Sequence, residues 1–224
     1  MVRRCLQQNR SKIFSFFVFL IALSQTFTHK NCLGAQQVKK EKKSKIIFLG
    51  DSITAGYGVN KSKAYPALIA EMLKNEKLSS FQVINGGISG STTASGLSRL
   101  KWQLKGKPSF VIIALGANDG LRGTKVEETK KNLEEIINLA KNHNLKILLA
   151  GMMMPPNYGK QYTQEFARIF PELAAKHKIP LMPFLLDGVA GEPKLNQSDG
   201  IHPNESGHKI IAEKMWPHLR KLLN

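Results

Sequence analysis

Cysteine is scarce in this chain of 224 residues, and both cysteines lie near its start. Cys5 and Cys32 precede Ala35, the residue after which we expect an exported chain to be cut. A product cut there has no thiol, which excludes disulfide staples, cysteine-based metal sites and a cysteine nucleophile. Residues 29–31 (HKN) lack the small and apolar residues of a lipoprotein signal, so a lipid anchor on Cys32 is the minor option.

A long apolar run is also missing. The longest, residues 13–27 (IFSFFVFLIALSQTF), falls short of the roughly 20 apolar residues that a bilayer-spanning helix needs. Basic residues without any acid precede it in residues 1–12, which is the order of a secretory signal peptide. We therefore predict export to the periplasm or the exterior, with cleavage after Ala35 and cleavage after Ser24 as the alternative.

The predicted organisation is a signal peptide over residues 1–35, a basic linker over residues 36–44 and one domain over residues 45–224. The first 45 residues contribute +9 to the formal net charge of +17, which leaves +8 for residues 46–224. The linker is most simply a solvated segment, with attraction to anionic lipid headgroups as a second option. No basic stripe with interleaved aromatics supports base stacking, so we expect no nucleic-acid partner.

Several well-known site motifs are absent. The chain has no G-x-S-x-G elbow, no phosphate-cradling P-loop, no G-x-G-x-x-G and no H-E-x-x-H. These absences argue against an α/β-hydrolase elbow, a nucleotide site and a zinc protease site. We therefore expect no cofactor and no catalytic metal.

Short apolar runs alternate with helical periodicities after residue 45, which indicates an α/β domain built on a parallel sheet. The strand candidates are residues 45–49, 81–85, 109–115, 145–151 and 179–183. The helix candidates are residues 64–76, 93–104, 126–142, 161–177 and 204–222. The loops that leave the carboxyl ends of such strands gather at one edge, where ligands bind.

Two of these loops carry the residue types of a serine nucleophile and its base. Ser52 follows the first strand, although a lone Gly-Asp-Ser is more often a turn or a helix cap. His202 follows the fifth strand, and imidazole suits proton abstraction from a serine at neutral pH. Asp199 stands three residues earlier, where it can fix the tautomer of His202. The other five histidines lack an acid so placed.

Two further loops contain candidate oxyanion donors. Residues 85–92 (NGGISGST) follow the second strand, and residues 116–120 (GANDG) follow the third. Glycine lets backbone N–H groups approach a substrate closely, and an Asn amide donates without adding charge. Each loop taken alone is also ordinary turn chemistry.

The joint order of Gly50-Asp51-Ser52, Ser89-Gly90, residues 116–119 (GAND) and residues 199–203 (DGIHP) resembles the SGNH (GDSL-type) hydrolase family. The resemblance implies a three-layer α/β/α sandwich, flavodoxin-like, with a five-stranded parallel sheet. It assigns the nucleophile to Ser52, the base to His202 and its orienting acid to Asp199. It places the oxyanion hole at the N–H groups of Ser52 and Gly90 and the side-chain amide of Asn118.

The resemblance also implies a substrate class, namely small-molecule acyl esters or thioesters such as aryl esters, lysophospholipids and acyl-CoA. A carbohydrate O-acetylesterase is the enzymatic alternative, and a basic envelope protein that binds lipid or nucleic acid is the non-enzymatic one. Met152–Met154 are expected to be buried packing, with a contribution to the acyl groove as the other reading. We further expect a monomer, with transient contact with membrane lipid as an option.

Overall fold

A computed structural model describes residues 43–224 of the chain. The predicted signal peptide and all but the last two residues of the predicted linker lie outside the described residues. Within the described range, no helix has both the length and the apolar character needed to cross a membrane.

Five parallel strands form one sheet in the order β2-β1-β3-β4-β5, which confirms the predicted five-stranded parallel sheet. The strands are β1 Ser44–Gly50, β2 Phe81–Asn85, β3 Phe110–Ala114, β4 Lys146–Ala150 and β5 Leu181–Met182. The fifth strand is shorter than the five residues predicted, because Pro180 and Pro183 bracket it and proline cannot donate to a strand ladder.

Seven α-helices accompany the strands in the described range. They are α1 Ser52–Ala55, α2 Tyr65–Asn75, α3 Thr93–Gln103, α4 Ala117–Leu121, α5 Val126–Asn142, α6 Lys160–His177 and α7 Glu205–Leu223. The five long helices match the predicted ones to within a few residues. Helices α1 and α4 were not predicted, since segments of four or five residues are too short to show a helical period.

The sheet is the middle layer of the α/β/α sandwich expected from the sequence. Strand β3 is buried throughout, as a central parallel strand covered on both faces should be. Helix α2 packs against α7, and α5 packs against both α3 and α6. The chain leaves β1 toward β2 and later returns past β1 to β3, so the strand order reverses at the β1–β3 pair. Parallel sheets bind ligands at this kind of reversal, outside the carboxyl ends of the strands.

Candidate active site

Ser52 is held by a sharp turn from β1 directly into α1. The carboxylate of Asp51 caps this short helix by accepting a hydrogen bond from the Ile53 N–H at 3.0 Å. Gly50 is required at the turn because a Cβ there would lie 1.9 Å from Thr54 Oγ1. The turn presents Ser52 at the carboxyl edge of the sheet, with 8% of its surface exposed.

The Ser52 hydroxyl begins a chain of two hydrogen bonds that joins residues 150 positions apart in the sequence. Ser52 Oγ lies 2.9 Å from Nε2 of His202. The other ring nitrogen of His202, Nδ1, lies 2.7 Å from Oδ2 of Asp199. This geometry lets Nε2 accept the serine proton while Nδ1–H donates to the carboxylate. The structure therefore brings together the three residues predicted for catalysis.

Asp199 is fixed by its own loop. Its Oδ1 accepts hydrogen bonds from the N–H groups of Ile201 and His202, each at 3.0 Å, and Gly200 makes the tight turn at φ +73°. Hydrogen bonds from the backbone and then from the side chain of His202 lower the pKa of Asp199 from 3.8 to about 2. The carboxylate is therefore ionised at neutral pH and can stabilise a protonated His202.

The predicted oxyanion donors occupy neighbouring loops. Asn118 lies beside Ser52 and His202 in the wall of one cavity, and one of its amide hydrogens is donated to Ser91 O at 3.0 Å. Gly90 lies in an exposed turn at φ +76° and is not part of that wall. The N–H groups of Ser52 and Gly90 have no hydrogen-bond partner among residues 43–224. The second amide hydrogen of Asn118, which is not used in the bond to Ser91 O, is available to a substrate oxygen.

Asp119 joins the two loops that carry the predicted oxyanion donors. Its buried carboxylate accepts hydrogen bonds from the N–H and the hydroxyl of Thr93, the first residue of α3. Arg122 adds a second tie by donating to Gly90 O at 3.1 Å. A negative charge at a helix N-terminus is favourable because it satisfies N–H groups that have no partner within the helix. Neither of these two ties was predicted from the sequence.

Replacing Asn118 with Ala should lower kcat by about 10²- to 10³-fold, the usual loss when one oxyanion donor is removed. KM should change little, because the donor acts mainly on charge that develops in the transition state. The measurement is steady-state hydrolysis of a p-nitrophenyl ester, with the exposed Asn138→Ala as a matched control. A kcat equal to that of the control would remove Asn118 from the oxyanion hole.

A cavity of about 500 Å³ opens beside Ser52. Its apolar wall includes Ile53, Leu121, Met152, Met154, Phe184 and Leu186. The expectation of buried packing holds for Met152 and Met154 but is wrong for Met153, which is 46% exposed. All three methionines line the cavity, as the other reading of this segment anticipated. Met154 packs over Gly120, where a Cβ would lie 2.1 Å from its sulfur.

Tyr57 and Gln197 support the histidine loop, and neither was identified from the sequence. The Tyr57 ring lies against His202 with centroids 4.7 Å apart. Gln197 donates to Tyr57 O at 2.7 Å and to Pro203 O at 3.0 Å, so it joins the loop after α1 to the histidine loop. No signal in a single sequence predicts such a contact, since it depends on how two distant loops meet.

Two buried titratable groups lie close to this machinery. Burial raises the pKa of Asp51 from 3.8 to about 6, and its Oδ2 has no hydrogen-bond partner among the described residues. Burial lowers the pKa of His208 from 6.5 to about 4. His208 Nδ1 accepts from the Tyr65 N–H at 3.3 Å, and the Tyr65 hydroxyl lies 2.8 Å from Thr54 Oγ1 in helix α1.

These two groups should give opposite pH dependences of stability. The folded state binds the Asp51 proton more tightly than the unfolded chain, so Asp51 destabilises the fold increasingly as pH rises from 4 to 6. The folded state resists protonation of His208, so His208 destabilises the fold increasingly as pH falls from 6.5 to 4. Either pKa change corresponds to about 3 kcal/mol in the free energy of unfolding.

We therefore expect Asp51→Asn to exceed the wild type in free energy of unfolding at pH 7 and to lose this advantage, about 3 kcal/mol, by pH 4. His208→Asn should show the opposite trend and gain on the wild type as pH falls. Urea denaturation at pH 7 and pH 4 measures the difference in free energy of unfolding between each variant and the wild type. The contributions of all other titrating groups cancel in this difference. Differences that do not vary with pH would contradict the assignment.

The comparison with protein families places this chain in a known group. Residues 48–210 match the model of the GDSL-like Lipase/Acylhydrolase family. The chain belongs to this family. It is a hydrolase of ester bonds, and the non-enzymatic alternative is not favoured.

This GDSL-family hydrolase is similar to characterised proteins over most of its length. It is 40% identical to Esterase TesA of Pseudomonas aeruginosa, over 80% of this chain and 89% of that protein. It is also 40% identical to Thioesterase 1/protease 1/lysophospholipase L1 of Escherichia coli K12, over 80% of this chain and 85% of that protein. Its fold matches the crystal structure of the esterase EstA from Pseudoalteromonas sp., inhibited by monoethylphosphonate, with a TM-score of 0.77. The match has 33% sequence identity and covers 81% of this chain and 100% of that one.

Proposed function

We propose that this hydrolase cleaves acyl esters and thioesters in two steps, through an acyl-enzyme on Ser52. The observation that carries the proposal is the continuous hydrogen-bonded chain from Ser52 Oγ through His202 to Asp199 at the mouth of an apolar cavity. A hydroxyl next to a base that is itself oriented by a carboxylate is the arrangement that activates serine as a nucleophile.

In the first step Ser52 Oγ attacks the acyl carbonyl carbon while His202 Nε2 takes the hydroxyl proton. The carbonyl oxygen gains negative charge, which the free amide hydrogen of Asn118 and the N–H groups of Ser52 and Gly90 stabilise by hydrogen bonding. The tetrahedral intermediate then expels the alcohol or thiol, and this leaving group receives the proton from Nε2. Asp199 holds the positive ring of His202 in place throughout.

In the second step water replaces the alcohol or thiol. His202 Nε2 removes a proton from this water as its oxygen attacks the acyl-enzyme carbonyl, and the same donors stabilise the second oxyanion. Collapse of the intermediate breaks the bond to Ser52 Oγ and returns the proton to it. The carboxylic acid leaves, and the enzyme is restored without a cofactor.

The cavity favours an extended acyl group over acetate. Its wall is made largely of apolar side chains, and burial of each additional methylene contributes about 0.8 kcal/mol. An acetylated sugar would instead need polar groups to bind its hydroxyls. The names of the relatives, an esterase and a thioesterase/lysophospholipase, point to the same class of substrate. The carbohydrate O-acetylesterase is therefore the less favoured alternative.

We further propose that the protein acts as an exported monomer. The support for export is the basic and then apolar order of the first 27 residues. Processing after Ala35 would give a thiol-free enzyme, which suits an oxidising compartment. The proposed partners are the small-molecule substrate and, transiently, membrane lipid.

A substrate panel tests the proposed function. We expect kcat/KM for p-nitrophenyl esters to rise with acyl length from acetate toward the medium-length chains that the cavity accommodates. Acyl-CoA and lysophospholipid should be cleaved as well, and acetylated xylose should be a poor substrate. A preference for the acetylated sugar would overturn the choice of substrate class, and failure to cleave any of these compounds would overturn the proposed activity.

A further inference from the structure

The sheet edge opposite the active site, where the parallel strands begin, carries a row of positive charge. We name this surface the lysine edge and define it by Lys45, Lys77, Lys105, Lys107 and Lys178. Lys45 is the second residue of β1, and the others lie in the segments that lead into β2, β3 and β5. With neighbouring strands about 4.8 Å apart, the row extends roughly 19 Å from β2 to β5.

Three of these lysines occupy an unusual backbone conformation. Lys77, Lys107 and Lys178 have φ values of +60°, +51° and +53°, in the left-handed region that Gly and Asn adopt most readily. Only one other non-glycine residue of the described chain has a positive φ, and it is Asn144 in the loop before β4. Lysine thus stands where local conformation favours a smaller residue, which indicates a use for its charge.

Capping of helices explains part of the row but not all of it. Helices in this fold end at the lysine edge, and cations are favourable at helix C-termini. Lys45 is used in this way, since its Nζ donates at 2.8 Å to the carbonyl of Gly106, the last residue of a 3₁₀ helix, Leu104–Gly106, that follows α3. The side chains of Lys77, Lys105, Lys107 and Lys178 make no such bond, and none has a carboxylate within 4.0 Å among residues 43–224. These four ammonium groups are therefore available to an external anion.

An exposed tryptophan lies three residues before Lys105 in the sequence. Trp102 lies in the last turn of α3 next to Lys101, and 70% of its surface is exposed. Tryptophan is enriched at the interface between a bilayer and water, where its ring lies among headgroups. Lysines around one exposed Trp fit an anionic bilayer better than they fit stacked bases, which require several aromatic rings.

We propose that the lysine edge docks this hydrolase on membranes rich in anionic phospholipid, with Trp102 at the headgroup level. Docked in this way, the enzyme turns its active site away from the bilayer, because the catalytic residues lie at the carboxyl ends of the strands. The enzyme then receives substrates from the aqueous side. The proposal gives a surface to the membrane contact proposed above, and it rests on the fold and on surface charge and not on the proposed catalysis.

Vesicle sedimentation tests the docking. The edge variant combines Lys77→Asn, Lys107→Asn and Lys178→Asn, and the control variant makes the same charge change at exposed lysines elsewhere, with Lys131→Gln, Lys160→Gln and Lys209→Gln. The full chain is used in every case, so any contribution of the N-terminal segment is common to all. The vesicles contain one part phosphatidylglycerol to two parts phosphatidylcholine, or phosphatidylcholine alone.

We expect wild type and control variant to bind the anionic vesicles with similar affinity. The edge variant should bind them at least about tenfold more weakly, since each lysine near an anionic surface contributes separately to the binding free energy. Because Asn accepts the left-handed conformation, the edge variant should keep its melting temperature and its ester hydrolysis. Equal vesicle binding by edge and control variants would overturn the proposal. The proposal would also be overturned if the edge variant bound vesicles normally and lost only its binding to duplex DNA, because that result would identify a nucleic-acid surface instead.

Trp102 provides an independent readout. Its fluorescence should shift to shorter wavelength when anionic vesicles are added, and Trp102→Phe should abolish the shift, which leaves only the signal of Trp216. An emission spectrum that vesicles leave unchanged, under conditions where the protein sediments with them, would place the contact elsewhere on the molecule and contradict the docking geometry.

Discussion

Replacement of Ser52 with Ala is expected to lower kcat/KM for acyl esters by about 10⁴-fold or more, the range found when a triad nucleophile is removed. The described hydrogen bond of the Ser52 hydroxyl is the one to His202, so the variant loses the nucleophile and little else. The apolar cavity still binds the acyl group, so KM should change much less than kcat.

The control for this variant is Ser98→Ala, on the exposed face of α3. The free energy of unfolding of both variants should lie within about 1 kcal/mol of the wild-type value, as is usual for substitutions that create no large cavity. Ester hydrolysis by Ser52→Ala within tenfold of the control would mean that another group forms the acyl-enzyme or that no acyl-enzyme exists.

Replacement of Asp199 with Asn should lower kcat by about 10⁴-fold, even though Asn has nearly the same shape. The amide oxygen of Asn can accept the N–H groups of Ile201 and His202 that Oδ1 of Asp199 now accepts. The amide NH₂ would then face His202 Nδ1 and donate to it. A donor at Nδ1 forces the ring proton onto Nε2, which can no longer take the proton of Ser52.

Asp187→Asn is the matched control, because Asp187 is an exposed carboxylate paired with Lys214 outside the site. Its activity should equal that of the wild type. The Asp199→Asn variant should also lose its normal reactivity toward a serine-directed phosphonate, since the nucleophile is no longer activated. Full activity in Asp199→Asn would show that the carboxylate is not needed to orient His202.

The sheet and the meeting of Ser52, Asp199 and His202 were predictable because their signals are strong and local. Strands such as β3 are continuous apolar runs, and parallel strands bring their carboxyl ends to one edge, so Ser52 and His202 could be placed together from their positions after the first and fifth strands. Each loop alone was ambiguous. The common order of four blocks removed the ambiguity.

The contacts between loops were not predictable from the sequence. Tyr57 meets His202, and Gln197 bridges their loops, because two distant segments approach in three dimensions. Asp119 looked like turn chemistry in its loop, although its carboxylate reaches across to Thr93 and caps α3. Burial likewise decides the protonation of Asp51 and His208, and burial depends on the whole fold.

Covalent labelling with a fluorophosphonate tests the central claim most directly. The probe reacts with an activated serine and leaves a phosphonyl group that peptide mass spectrometry can assign to one residue. We predict one label per chain, on Ser52, that is lost in Ser52→Ala and strongly slowed in Asp199→Asn. Labelling of a different serine, or an active enzyme that takes up no label, would contradict the assignment of Ser52 as the nucleophile.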